Sequence, residues 1–345
     1  MQSLSATLTH VGLGRIPGLP SRTRGYPSAI ELRCTECREY LISASYRSLG
    51  QSFSSYLCAG CFTMLQQDHG TWLALSPARQ GHFARFMKEY EQIRRAEGRG
   101  SDIPEFYLAL PYCDLTERNS WQWAIRGKTF RYMEQRILPE LSRNSSPPLT
   151  ILDLGAGNGW LSHRLTRMGH RPVAVDLLTN SYDGLGAAAH YRRVLPALFP
   201  RFQAELDNLP FADEQFDCAI FNASFHYSEN YDRTLAEAIR CLRPGGTIVI
   251  ADSPTYSREA SGQEMQKERQ DDFLKLYGFR SDGLSSCDYL TPERLLALEV
   301  RHNLEWTSHH IWYGVRWACR PWIAKLQKRR EPSQFYLYSA QVKVQ

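Results

Sequence analysis

No run of roughly 18 or more apolar residues occurs in the 345-residue chain, so no segment reads as a membrane-spanning helix. No secretory signal is visible in it either. Residues 1–29 lack Asp and Glu while carrying Arg15, Arg22 and Arg24, which is partly the composition of a transit peptide. Gly and Pro break GLGRIPGLPSRTRGYPS too often for the amphipathic helix such a peptide needs, so 1–29 is expected to be a flexible N-terminal arm. There is no strong excess of one charge. The net charge of +5 falls short of the bias of a dedicated nucleic-acid binder. Internal repeats and long low-complexity tracts are missing as well. Nine cysteines, an odd number, exclude a fully paired disulfide scaffold, and the usage fits a reducing cytoplasm.

What is present divides into three textures after the arm. Residues 30–75 hold Cys34, Cys37, Cys58 and Cys61 as C-T-E-C, twenty residues, then C-A-G-C. Two such turns can each present two thiolates and close a tetrahedral zinc site with no open position, hence a structural metal. The competing reading is four free or redox-active thiols. Residues 76–144 read as helical: Phe83, Phe86, Tyr90 and Ile93 share one face, and Trp123, Phe130, Met133 and Ile137 mark the buried side of a second helix. NSSPPL then forms a linker.

Over 145–345 short apolar runs alternate with helical patterns. TILDL, RPVAVD, FDCAIF and GTIVIAD read as buried strands, with PRFQAE as a short further one. Helices are expected at GWLSHRLTRMG, around GAAAHYRRV and at YDRTLAEAIRCL. The alternation predicts an α/β fold with a doubly wound, mostly parallel sheet. Cys218 and Cys241 read as small core residues. Beyond Asp252, polar helices precede two last strands, LEWTSHHIW and QFYLYSAQVKV. TPERLLALEVRH has Thr291 as N-cap and Pro292 at the first helical position. Between those strands a basic helix carries Trp312, Trp317 and Trp322. Its tryptophans are expected to be core anchors and its charges a solvated face, although the helix also suits a substrate lid or a nucleic-acid, membrane or acidic-ligand contact.

ILDLGAGNGW ends the first strand in Gly155, Gly157 and Gly159. Glycines there let a ligand approach bare backbone at the N-terminus of the next helix. Asp176 follows about 20 residues on, where a carboxylate suits ribose hydroxyls. The spacing is G-x-G-x-G rather than the G-x-G-x-x-G of dinucleotide sites, with Trp160 in place of the last glycine. Asp153 beside the loop would repel a pyrophosphate but suits an ammonium or sulfonium. Ordinary strand-end polarity is the bland reading of both acids.

DLGAGNG resembles motif I of the class I S-adenosylmethionine-dependent methyltransferases. AVD, AELDNLPFADEQFD, FNASFHY and CLRPGGTIVIAD resemble later marks of that family, in order, over about 149–252. The resemblance implies a seven-stranded sheet over 145–345, S-adenosyl-L-methionine as cofactor, and roles for particular residues. Asp153 and the loop of Gly155, Ala156, Gly157 and Gly159 would hold the methionine part. Asp176, followed by Leu177, would bind the ribose. Glu205 and Leu206 fall at the adenine, and Asn222 begins the loop nearest the methyl. His226 is the candidate base, against a reading in which it only packs or caps; His309 and His310 are weaker candidates. The chain lacks the N-P-P-Y or D-P-P-Y motif and the Pro-Cys pair of base methylation, and its LPF and PGG segments look most like small-molecule and quinone methyltransferases. The expected function is therefore methyl transfer to an O, N or C atom of a small-molecule acceptor, natural-product or lipid-like. The cysteine module resembles zinc ribbons ahead of some rRNA guanine methyltransferases, so an RNA methyltransferase is one alternative, and a non-catalytic cofactor-binding regulator is another.

Overall fold

The computed structural model describes residues 30–48, 51–145 and 147–343; the arm expected over 1–29 lies outside them. Strands β5 (Thr150–Leu154), β6 (Arg171–Asp176), β8 (Phe216–Asn222) and β9 (Leu242–Ala251) are the four apolar runs read from the sequence. They lie parallel as β6-β5-β8-β9, with Asp153 opposite Ala174 and Leu154 opposite Phe221. All five residues of β5 are buried, because helices cover both faces of the sheet. The short β7 (Arg201–Gln203) adds to one side, and β10 (Thr307–His309) and β11 (Leu337–Gln341) to the other. The result is seven strands in the order β7-β6-β5-β8-β9-β11-β10, with β11 antiparallel to β9.

The sheet does not stop at β7. The cysteine region forms β1 (Leu41–Ser48), β2 (Gln51–Cys58), β3 (Met64–Asp68) and β4 (Thr71–Leu73), an antiparallel meander. Its last strand pairs parallel with β7 through Trp72 opposite Phe202, giving an 11-stranded sheet. Tyr56, Leu65 and Ala74 consequently share one apolar cluster with Val173, Phe202 and Phe211.

Helix α1 (Pro77–Ala96) starts on Ser76, whose hydroxyl accepts the Arg79 N–H, with Pro77 in the first turn. Phe83, Phe86 and Ile93 are buried and Tyr90 half-buried. A short α2 (Pro104–Ala109) leads to α3 (Ser120–Tyr132), a π-helical turn at Met133–Ile137 and α4 (Leu138–Asn144). Trp123, Phe130, Met133 and Ile137 pack into the cluster under β5. Helices α5 (Trp160–Arg167) and α6 (Tyr231–Cys241) cross over between strands as expected. The segment at Leu185–Arg193 tightens instead into a 3-10 helix. Gly184 and Gly186 there lie so close to the backbone of Leu178 and Thr179 that an added Cβ would sit 2.6 Å from each carbonyl oxygen. Helix α7 (Glu259–Tyr277) precedes α8 (Pro292–His302), where Thr291 caps by accepting the Arg294 N–H.

The basic Trp-rich helix is two short ones, α9 (Val315–Ala318) and α10 (Arg320–Leu326), with Pro321 in the first turn of the second. Trp317 alone of the three tryptophans is buried; Trp312 and Trp322 stand in solvent, which corrects their expected role as core anchors. Arg316, Lys325, Lys328 and Arg329 are exposed, as a solvated face requires, whereas Arg320 and Arg330 are half-buried.

One carboxylate fastens the cysteine region to the sheet. Glu237 on α6 accepts from the Leu209 N–H at 2.7 Å, from Arg38 at 2.9 Å and from Arg240 at 2.7 Å. Burial alone would raise its pKa, but the Arg240 and Arg38 contacts outweigh burial and hold the carboxyl below its usual range. Glu237→Ala is expected to leave the Leu209 N–H without its acceptor, to deprive Arg38 and Arg240 of their shared carboxylate, and to cost about 2–4 kcal/mol. A shift in the urea midpoint at unchanged m-value measures it; a loss under half a kcal/mol would mean the clamp contributes little.

Candidate active site

The loop of residues 155–159 leaves β5 with three glycines at positive φ. Their reasons differ. A Cβ on Gly155 would lie 2.2 Å from that of Ser224, and one on Gly159 would lie 2.8 Å from the Phe199 ring. Gly157 meets only the Asp183 carbonyl, at 3.4 Å, and otherwise faces open space. Asp176 ties this loop to its own: its carboxylate accepts the Gly157 N–H and the Leu178 N–H, each at 2.8 Å. Asp153, 1% exposed, accepts the Ser162 hydroxyl at 2.7 Å. Burial pushes the Asp153 carboxyl up to about 7 and that of Asp176 up to about 6. Both carboxylates would gain from a cationic or hydroxyl-bearing ligand.

A cavity of about 530 Å³ runs over these strand ends. In sheet order β6, β5, β8, β9, its floor presents Asp176, the glycine loop, Asn222 and Asp252. Tyr90 and Arg94 of α1, Arg126 of α3, Arg269 of α7, and Trp317 and Arg320 from the Trp-rich segment wall it. Of the residues singled out from the sequence, Asp153, Gly155, Ala156, Gly157, Asp176, Leu177, Leu206, Asn222 and His226 all line it. Gly159 and Glu205 are not among its lining residues. Gly159 serves the packing against Phe199. The Glu205 carboxylate is held by Arg79 of α1, with Nε 3.0 Å from both oxygens and a further nitrogen at 2.5 Å.

His226 sits on the 3-10 turn after β8, buried, with Nδ1 3.3 Å from the Ser253 hydroxyl. Burial pulls its pKa down to about 3; Asp288 opposes this, while Arg269 and Arg126 add to it. The imidazole is thus neutral at physiological pH and holds a proton poorly. His309 instead bonds Tyr132 and Ser339, and His310 lies against Tyr336; neither lines the cavity.

Several lining groups escaped the sequence reading. Arg94 pairs with Asp183 at 2.6 Å, across 89 residues, and no local pattern announces it. Asp252 ends GTIVIAD as Asp176 ends RPVAVD, with Asp153 one residue short of the end of TILDL, so strand-end position was a usable signal. One of its oxygens accepts the Thr129 hydroxyl at 2.7 Å, and the other has no partner among the described residues. The Asn222 side-chain oxygen is likewise buried without a partner.

The four cysteine sulfurs lie within 4.8 Å of one another, with Cys34 to Cys61 at 3.4 Å and Cys37 to Cys58 at 3.3 Å. These separations are far too long for disulfides and near the roughly 3.8 Å edge of a zinc–thiolate tetrahedron. Both turns repeat one geometry. The Arg38 and Phe62 N–H groups return to the Cys34 and Cys58 carbonyls, and both residues have positive φ. The first turn also grips the loop after β7: Asn208 donates to the Thr35 carbonyl at 2.9 Å, the Arg33 N–H to Pro210 at 3.1 Å, and Arg38 to Leu209 at 3.4 Å.

Residues 152–250 match the family model described as a methyltransferase domain. The malonyl-[acyl-carrier protein] O-methyltransferase of Methylococcus capsulatus is 30% identical over 121 residues, 35% of this chain and 43% of that protein. The phthiotriol/phenolphthiotriol dimycocerosates methyltransferase of Mycobacterium leprae is 39% identical over 103 residues, 30% of this chain and 37% of that one. The demethylmenaquinone methyltransferase of Thermobifida fusca is 32% identical over 126 residues, 35% and 50% of the two chains. The chain therefore spans about half or less of the length of these relatives. Among solved structures, an S-adenosylmethionine-dependent methyltransferase from Mesorhizobium loti covers 59% of this chain and 96% of its own, at 19% identity and a TM-score of 0.39.

The raised carboxyl of Asp153 has a signed consequence. Between the unfolded pKa near about 4 and the folded value of about 7, only the native state holds the proton, so stability falls as pH rises through that window and is flat above it. Asp153→Asn removes the penalty. In urea melts at about pH 5 and 7.5, the variant is expected to gain on the parent as pH rises; a constant difference would show that Asp153 titrates normally.

Proposed function

With residues 152–250 forming a methyltransferase domain, we propose that the protein moves the methyl group of S-adenosylmethionine to a small-molecule acceptor. The observation that carries this reading is the pair of carboxylates, buried Asp153 and half-buried Asp176, set around backbone stripped of side chains at one end of the cavity. Their chemistry fits a sulfonium nucleoside: one positive centre, an ammonium, and a ribose diol. Relatives named for malonyl-[acyl-carrier protein], phthiotriol and demethylmenaquinone support a small-molecule acceptor over RNA.

When bound, the cofactor supplies an electrophilic methyl. The chain's work is to bind, align and exclude water. Asp176, already held by two backbone N–H groups, keeps lone pairs for the sugar hydroxyls. Asp153 and the loop of residues 155–158 take the amino-acid end. Leu177 and Leu206 flank the base. At the other end, the free oxygens of Asn222 and Asp252 can each accept a hydrogen bond from an acceptor hydroxyl or amine. Burial lifts the Asp252 carboxyl above its usual range, against the Thr129 hydrogen bond, while it pulls the His226 imidazole down, so the released proton is assigned to Asp252. His226 then acts as a neutral positioning residue.

In the same reading the four cysteines hold a structural zinc, which fixes the turn that grips residues 208–210 and, through that loop, Leu206 at the cavity wall. Two measurements test these assignments. Asp176→Ala is expected to weaken S-adenosylmethionine binding by about 1–3 kcal/mol in calorimetry; unchanged affinity would count against the ribose assignment. Stripping the metal with a chelator is expected to release one zinc per chain, lower the melting temperature and weaken cofactor binding. Full cofactor affinity in folded, metal-free protein would sever the link between module and loop.

A further inference from the structure

The segment 306–330 carries Arg316, Arg320, Lys325, Lys328, Arg329 and Arg330 and no Asp or Glu. Helix α10 within it buries none of its residues. Trp322 is 77% exposed, Leu326 85% and Ile323 47%, and spacings of three and four put them on one face. Trp312 and Val315, each 67% exposed, extend the apolar surface towards α9. A clustered apolar surface of this kind in water indicates a binding face. Lys325, Lys328 and Arg329 form no ion pair among the described residues, whereas Arg330 is paired with Glu268. The inner side of the same segment belongs to the cavity. Trp317 and Arg320 line it, with the Arg320 guanidinium stacked 3.4 Å from the Trp317 ring centroid.

We propose that the α9–α10 segment docks on an anionic lipid bilayer surface. Trp322, Ile323 and Leu326 enter the headgroup region, and Lys325, Lys328 and Arg329 meet the acidic headgroups. Indole with aliphatic side chains beside long basic ones is the composition of an interfacial helix. Single-stranded nucleic acid fits less well, because bases stack on aromatic rings and half or more of this face is aliphatic. A second copy fits less well too, since two such surfaces would oppose like charges without one carboxylate in either segment. Docking in this way sets the cavity rim, built by the same segment, at the membrane surface. The inference does not need methyl transfer to be correct.

The test is co-sedimentation of the full chain with vesicles of phosphatidylcholine alone or with about 30% phosphatidylglycerol, at low and high salt. Partitioning is expected to favour the anionic vesicles and to fall with salt. Lys325→Gln, Lys328→Gln and Arg329→Gln together should lower it on the order of 100-fold, from the attraction of three basic groups near the surface. Trp322→Ala with Leu326→Ala should reduce it at least tenfold (on the order of one lost interfacial anchor) while leaving the melting temperature unchanged. Equal binding to both vesicle types, or indifference to both variants, overturns the proposal. So would a dimer in sedimentation velocity that the double alanine variant dissolves, or tighter retention on single-stranded RNA than on anionic vesicles. Vesicle binding without any binding of S-adenosylmethionine would leave docking standing and remove the proposed function.

Discussion

The contact of Gly155 with Ser224 is the constraint around which the cavity is built. No side chain fits at 155, and the Ser224 hydroxyl donates to the Leu154 carbonyl. The loops after β5 and β8 are thereby held at backbone distance. On the other side, Asp176 holds the loops after β5 and β6 together through two backbone N–H groups. Three strand ends are locked in a row by contacts that use almost no side-chain volume. The space above them is therefore open, and its floor is polar.

That arrangement stores cost. Asp153, Asp176 and Asp252 lie in surroundings that resist their charge, and Asn222 keeps a buried oxygen without a partner among the described residues. Each lowers the stability of the free protein relative to an apolar alternative. Arg94 on Asp183, Arg269 on Asp288 and Arg79 on Glu205 show how the chain treats acids it keeps for structure: it gives them a guanidinium. The three acids along the sheet edge receive hydroxyl or backbone donors instead. The contrast separates acids that fasten the walls from acids left without a guanidinium along the cavity floor.

The strands, the glycine loop and the first two floor acids were legible because each is local. Apolar runs, three glycines and an acid at a strand end sit within ten residues of one another. The alternation pointed to a doubly wound, mostly parallel sheet, and the family resemblance to seven strands; their order comes from the structure. What was not legible is set by distance along the chain. Glu205 reads as a cavity acid until Arg79, 126 residues earlier, is seen to hold it. The pairing of Trp72 with Phe202, which extends the sheet to eleven strands, rests on a three-residue strand with no periodicity to read. Tryptophan carries no local sign of its burial either: Trp317 meets Tyr313 and Phe335, while Trp322, five residues on, meets solvent.

The cysteine region shows why an appended module so small is joined where it is. Four strands of so small a module cannot enclose a core of their own, so they borrow one from β7 and from the Phe211 cluster, and the four cysteine sulfurs come together at its end. The borrowed edge is not neutral ground. It leads into the loop of residues 205–212, which is bonded to the cysteine turn through the Asn208 side chain and the Leu209 and Pro210 carbonyls and whose Leu206 lines the cavity. Order in the turn and order in the loop are therefore one quantity, and any ligand that needs the loop in place must favour an intact turn. Linkage makes the effect mutual: whatever stabilises the turn tightens the ligand, and the ligand in return protects the turn.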